Sequence, residues 1–149
     1  ICAPNANSYR RLRRRYFPPV MPNWGVNHRG VSIRIPLSGP NNLRIEHRTA
    51  GADANPYLVA AAVLAGIHHG LEHEVEPDRM VEEGEEVKFV PALPVRWDAA
   101  LDRFRASTIL PEYLGGEYCR VYEYARRTEN RRFHNEITDR EYQWYLRNV

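Results

Sequence analysis

The spacing of apolar residues changes once along this 149-residue chain, and that change constrains the fold more than any other feature. Before residue 50 the spacing is two. Val31, Ile33 and Ile35 alternate with Ser32 and Arg34 across Arg29–Pro36, and Leu43 and Ile45 alternate with Arg44 and Glu46 across Leu43–Arg48. Side chains two apart share one face of a strand, so both runs read as strands. The connector Leu37-Ser38-Gly39-Pro40-Asn41-Asn42 is turn-rich and predicts an antiparallel hairpin.

After residue 50 the spacing becomes helical. Asp53 or Asn55 suits a helix cap and Pro56 its first turn. The run Tyr57–Leu71 is apolar almost all round, which predicts a buried helix. Residues 74–95 are acidic and then proline-punctuated, an excursion with little regular structure. Further helices are expected at about Trp97–Ala106, over Leu110–Leu114, from near Glu117, and over about 139–147, where Thr138 and Glu141 have capping-box spacing. Residues 1–28, with Pro18, Pro19, Pro22 and Gly25 near their end, read as irregular loop. The expected class is α+β: antiparallel strands followed by helices.

Composition enters through charge. The 21 basic and 19 acidic residues nearly cancel, yet residues 1–50 hold nine arginines against one acid, Glu46. A basic front half suggests a meeting with an anion. Cys2 and Cys119 are too few and too far apart for a disulfide framework, which favours a reducing, cytoplasmic setting. No apolar window is long enough for a membrane span, and no signal peptide is readable. The chain starts without a methionine, so an upstream part is expected.

The chemistry concentrates in Arg44-Ile45-Glu46-His47-Arg48. In a strand, Arg44, Glu46 and Arg48 point one way, with Leu43 and Ile45 toward the core. Arg34 joins that polar face if the register allows. Clustered arginines offer planar forks to phosphate or carboxylate, and a lone carboxylate supplies one oxygen ligand to Mg²⁺ or Mn²⁺. The competing account is a solvated ladder of ion pairs on a sheet face.

The ordered set Asn7-Ser8-Tyr9-Arg10-Arg11-Leu12, Trp24-Gly25, Asn27-His28-Arg29, Ser32-Ile33-Arg34-Ile35-Pro36, Arg44-Ile45-Glu46-His47-Arg48 and Ala54-Asn55-Pro56-Tyr57-Leu58 resembles the glutamine synthetase family. The segment from Leu114 through Tyr118 to Tyr145 is similar to that family's last helices. The resemblance implies that residues 1–149 form the carboxy-terminal portion of a single catalytic domain. It implies an ATP-dependent ligase in which the glutamate side-chain carboxylate attacks the γ-phosphate, and an amine then displaces phosphate from γ-glutamyl phosphate.

Carried over by position, the resemblance makes Glu46 a metal ligand, Arg44 and Arg34 nucleotide-binding, Arg11 and Arg48 glutamate-binding, and Arg29 the arginine near the transferred phosphoryl group. Mg²⁺ or Mn²⁺, and assembly into a ring of identical subunits, come with it. Phe17 falls where ammonia-using members carry a glutamate that helps deprotonate ammonium, and a phenyl ring cannot accept that proton. This is similar to the branch that joins glutamate to a larger amine, such as a polyamine. Ordinary glutamine synthesis and a non-catalytic binding homologue are the alternatives. Because two metals need several carboxylates, this stretch alone is expected to be inactive.

Other features point elsewhere less well. His69 and His73 have a spacing metals use, but Gly70 interrupts a helix end, so a surface terminus is the simpler reading. The arginine run Arg10–Arg15 lacks any stacking motif for nucleic acid. Cys119 and the aromatic tail (Tyr113, Tyr118, Tyr122, Tyr124, Tyr142, Trp144 and Tyr145) read as helix packing.

Overall fold

In the computed structural model, residues 1–13, 19–88 and 90–147 are described. The α+β expectation holds, with a small sheet first and helices after. Strands β1 (Trp24–Val26), β2 (Ile33–Ile35) and β3 (Glu46–His47) form one sheet in that order. The hairpin is antiparallel, with Ile33 opposite His47 and Arg34 opposite Glu46. Both strands are shorter than their alternating sequence runs.

Two elements lie in the stretch read as loop. Helix α1 (Ala6–Arg11) starts at Asn5, whose side chain accepts from the Asn7 and Ser8 amides while Ser8 reaches back to the Asn5 amide. Strand β1 pairs in parallel with β2, Trp24 beside Ile33 and Val26 beside Ile35. Three residues give too short a pattern to reveal a strand, and Pro22 and Gly25 hide it further. Partnership with β2 makes this segment extended.

The acidic excursion has no regular element between Glu74 and Val95 among the described residues. It is nevertheless tied down along β1. Val81 donates its amide to the Trp24 carbonyl at 2.9 Å, and the Trp24 indole donates to the Asp78 carbonyl at 2.7 Å. Gly25 permits this approach: a Cβ there would lie 2.6 Å from the Val81 carbonyl oxygen.

Helix α2 (Pro56–Glu72) begins at Asn55, which accepts from the Tyr57 and Leu58 amides, with Pro56 in the first turn. Its expected burial is not found. None of its residues is buried, and Tyr57, Leu64 and Leu71 stand open. One side of the helix meets the sheet and α4; no described residue covers the other side.

Helix α3 (Trp97–Ala106) and helix α4 (Ile109–Leu114) pack on the long α5 (Gly116–Asn135). Trp97, Leu101 and Cys119 are buried there, and Phe104 lies against Tyr122 with ring centres 5.2 Å apart. Arg127 bridges the helices, reaching Asp102 of α3 at 3.0 Å and Glu123 of its own helix at 2.5 Å. The last helix, α6 (Asp139–Tyr145), carries the expected capping box between Thr138 and Glu141. Cys119 sits in the core as expected, but Tyr124, Tyr142 and Tyr145 are exposed rather than packed. Burial raises the Cys119 thiol above its ordinary range.

Candidate active site

The hairpin register decides where the chemistry sits. Arg34 at the centre of β2 stands directly across from Glu46, the first residue of β3. Their side chains meet on one face, Arg34 Nη1 donating to Glu46 Oε2 at 2.9 Å. Arg44 and Arg48, two residues either side of Glu46, approach the same carboxylate at 3.6 and 3.9 Å. The register therefore brings Arg34 onto the polar face. The Arg48 amide continues the ladder by donating to the Ser32 carbonyl.

The opposite face holds Ile33, Ile45 and His47, which line an apolar groove of about 400 Å³ with Cys2, Val63 and Ile67. The expectation that Leu43 and Ile45 enter the core is corrected here. Leu43 precedes the paired residues and is 74% exposed; Ile45 is 49% exposed at the open groove.

Arg11 arrives from the end of α1. Its Nη2 donates to the Thr49 carbonyl at 2.5 Å, one residue beyond Arg48. Arg29 is not drawn in. It is exposed in the turn between β1 and β2 and makes no ion pair with a described residue. Four of the six expected residues thus meet, Arg11 reaches the backbone next to them, and Arg29 stands apart. Phe17 lies outside the described residues.

The electrostatics follow from the count of charges. Three guanidiniums within 4 Å of one carboxylate leave a local charge of about +2, a surplus that suits an anion. The Arg34 hydrogen bond, with the charges of Arg34, Arg44 and Arg48, holds the Glu46 carboxyl below its ordinary range. Glu46 is therefore an anion at neutral pH. Among the described residues its Oε1 accepts no hydrogen bond and has Arg44 3.6 Å away, which leaves that oxygen available to a cation. The Nε atoms of Arg11, Arg34 and Arg48 are buried with no hydrogen-bond partner among the described residues. His47, whose Nε2 pairs with Thr49 Oγ1 at 2.7 Å, is held below its ordinary pKa by burial.

Two contributors were not anticipated. Asn27 accepts from Arg34 Nη2 at 2.8 Å and donates through Nδ2 to Glu83 Oε1 at 2.7 Å. Asn27 has φ 53°, a backbone region that asparagine tolerates better than most residues. That tolerance is the only cue its sequence position offers.

A search against known families matches residues 1–145 to the glutamine synthetase catalytic domain. The chain belongs to the glutamine synthetase family. It is 44% identical to the γ-glutamylputrescine synthetase PuuA of Escherichia coli, covering 100% of this chain and 32% of that protein. It is 36% identical to a glutamine synthetase of Pyrococcus abyssi, over 85% of this chain and 31% of that one. Among solved structures, ligand-free GmaS superimposes with a TM-score of 0.81 at 28% identity, covering 99% of this chain and 34% of its own. The chain thus spans about a third of the length of these relatives. No helix among its described residues is long and apolar enough to cross a membrane.

Proposed function

We propose that the protein carrying this chain is an ATP-dependent ligase that joins the γ-carboxylate of glutamate to an organic amine through γ-glutamyl phosphate. The observation that carries this reading is the convergence of Arg34, Arg44 and Arg48 on Glu46, with Arg11 bound to the adjoining Thr49 backbone, in a member of this family. Residues 1–149 act as the carboxy-terminal portion of one catalytic domain, inactive without the carboxylates contributed upstream.

The donor set suits the demands of phosphoryl transfer, which needs positioning and charge neutralisation more than covalent help. Arg34 and Arg44 meet nucleotide phosphates. Arg48 and Arg11, linked through Thr49, hold the α-carboxylate of glutamate. Arg29, with no ion pair to a described residue, is left to meet the transferred phosphoryl group. Glu46, ionised and with one open oxygen, holds Mg²⁺ or Mn²⁺. Such an ion, when bound, neutralises phosphate charge. Guanidiniums and a metal ion share a site only with a polyanion between them, which the triphosphate supplies.

The amine is the finer question. Phe17 in place of a proton-accepting glutamate, and the 44% identity to a γ-glutamylputrescine synthetase, favour an organic amine such as a polyamine. The 36% identity to a glutamine synthetase supports ammonia as the second reading. Phosphate release by the full-length protein, with ATP, Mg²⁺ or Mn²⁺ and glutamate, separates them. Release is expected with putrescine or another amine and not with ammonium. Efficient turnover with ammonium alone would overturn the organic-amine reading, and none with any amine would favour a binding homologue. The active form is expected to be a ring of identical subunits, checked by its mass in solution.

A further inference from the structure

The contacts around Arg34 form a line of four side chains. Glu83 accepts from Asn27 Nδ2 at 2.7 Å, Asn27 Oδ1 accepts from Arg34 Nη2 at 2.8 Å, and Arg34 Nη1 donates to Glu46 at 2.9 Å. A carboxylate can only accept and a guanidinium can only donate. The link between Glu83 and Arg34 must therefore do both at once, which an amide does and an aspartate or leucine does not. We infer that Asn27 is a positioning residue for Arg34, and that through it Glu83 on the acidic excursion fixes how that guanidinium meets its ligand. This rests on Arg34 serving the nucleotide, as proposed above.

Both ends of the line are anchored independently. The Asn27 amide donates to the Ile35 carbonyl at 2.8 Å, which locks Asn27 to the same strand that carries Arg34. Glu83 rides on a segment fixed by the Trp24–Asp78 and Val81–Trp24 bonds and by a His28 contact to the Glu85 carbonyl at 2.8 Å. Arg34 is thereby held end-on, one fork nitrogen on Asn27 and the other on Glu46. Freed from Asn27, the fork can swing to engage both oxygens of Glu46, the favoured geometry of an Arg–carboxylate pair. That swing would occupy the oxygen left open for a cation and withdraw positive charge from the phosphates.

The test compares variants of the full-length protein by equilibrium binding of ATP with Mg²⁺, by the Mg²⁺ concentration for half-maximal activity, and by the KM for glutamate. Asn27→Asp keeps the φ 53° conformation accessible but sets two carboxylates against each other and neutralises Arg34. It should weaken ATP binding by roughly tenfold and raise the Mg²⁺ requirement, with the glutamate KM within about twofold. Glu83→Gln still accepts from Asn27 and should stay within about twofold of the parent. The double variant Asn27→Asp/Glu83→Gln removes the carboxylate clash by giving the new carboxylate an amide donor but keeps the charge beside Arg34, and should recover part of the lost affinity.

A double variant no better than Asn27→Asp, or Asn27→Asp without effect on ATP, would overturn the inference. Should Asn27→Asp not fold, Glu83→Lys probes the line from an exposed residue, with a roughly threefold loss of ATP affinity expected and no change overturning it. Arg34→Lys separates the two levels of the argument. If it leaves ATP binding intact, the nucleotide role of Arg34 fails and the inference with it. If it weakens ATP binding and Asn27→Asp does not, only the line through Asn27 fails.

Discussion

At the scale of single residues, this site is an imbalance. Glu46 is the one acid of the first fifty residues, and three arginines crowd it on the sheet face. Glu46→Gln removes the ionised ligand while leaving the shape, so ligase activity should fall by at least about a hundredfold and not be rescued by excess Mg²⁺. Activity titrated against Mg²⁺ and Mn²⁺ checks this; full recovery at high metal would mean that Glu46 is not a ligand. His47 sets a pH dependence of stability. Burial holds its pKa below the ordinary 6.5, so the folded state keeps it neutral where the unfolded chain takes up a proton. Stability should therefore be full above about pH 7.5, fall as pH drops through 6.5, and level off below the folded pKa. His47→Gln should flatten the dependence of Tm between pH 8 and 5.5. Glu46, with its pKa lowered, loses its contribution only under more acidic conditions.

At the scale of elements, short caps and one close approach hold the pieces in place. Asn55 satisfies two amides at the start of α2, and Asn55→Ala should cost about 1 kcal/mol by denaturant unfolding. Gly25 lets the acidic excursion lie against β1. Gly25→Ala sets a methyl 2.6 Å from the Val81 carbonyl oxygen, so the excursion must shift. The expected result is faster proteolysis within 74–88 and weaker ATP binding, because Glu83 moves with it. The hairpin, α2, α3, the start of α5 and the Thr138 cap were legible in the sequence, since each carries its own period or capping residues. Helix α1 and β1 were not. A six-residue helix and a three-residue strand are too short for periodicity, and β1 is extended only because β2 pairs with it.

At the scale of the molecule, the apolar exterior of α2 is the main departure. A helix apolar all round predicts cover on every side, and the described residues provide it on one. Cover from the part of a relative-length protein that this chain does not span is the expected outcome. Leu64, 64% exposed here, separates the cases. Leu64→Ser should reduce self-association of the isolated 149-residue chain in sedimentation velocity. The same substitution should destabilise the full-length protein by about 2–4 kcal/mol, as for a buried leucine lost from a core. No loss of stability in the full-length protein would mean that this face stays open there too.

The sequence by itself determined the α+β class, the hairpin, the helix starts and the residue types of the site, because local periods, caps and a run of alternating arginines are properties of neighbouring residues. Tertiary structure decided the rest. Which arginines meet Glu46 depends on a strand register that pairs Arg34 with it across twelve residues, and Arg11 reaches Thr49 only because α1 folds back beside the hairpin. The role of Asn27 appears only when Glu83, fifty-six residues away, is folded back beside β1. Contacts that span such distances are fixed by packing and close approach, which no local pattern encodes.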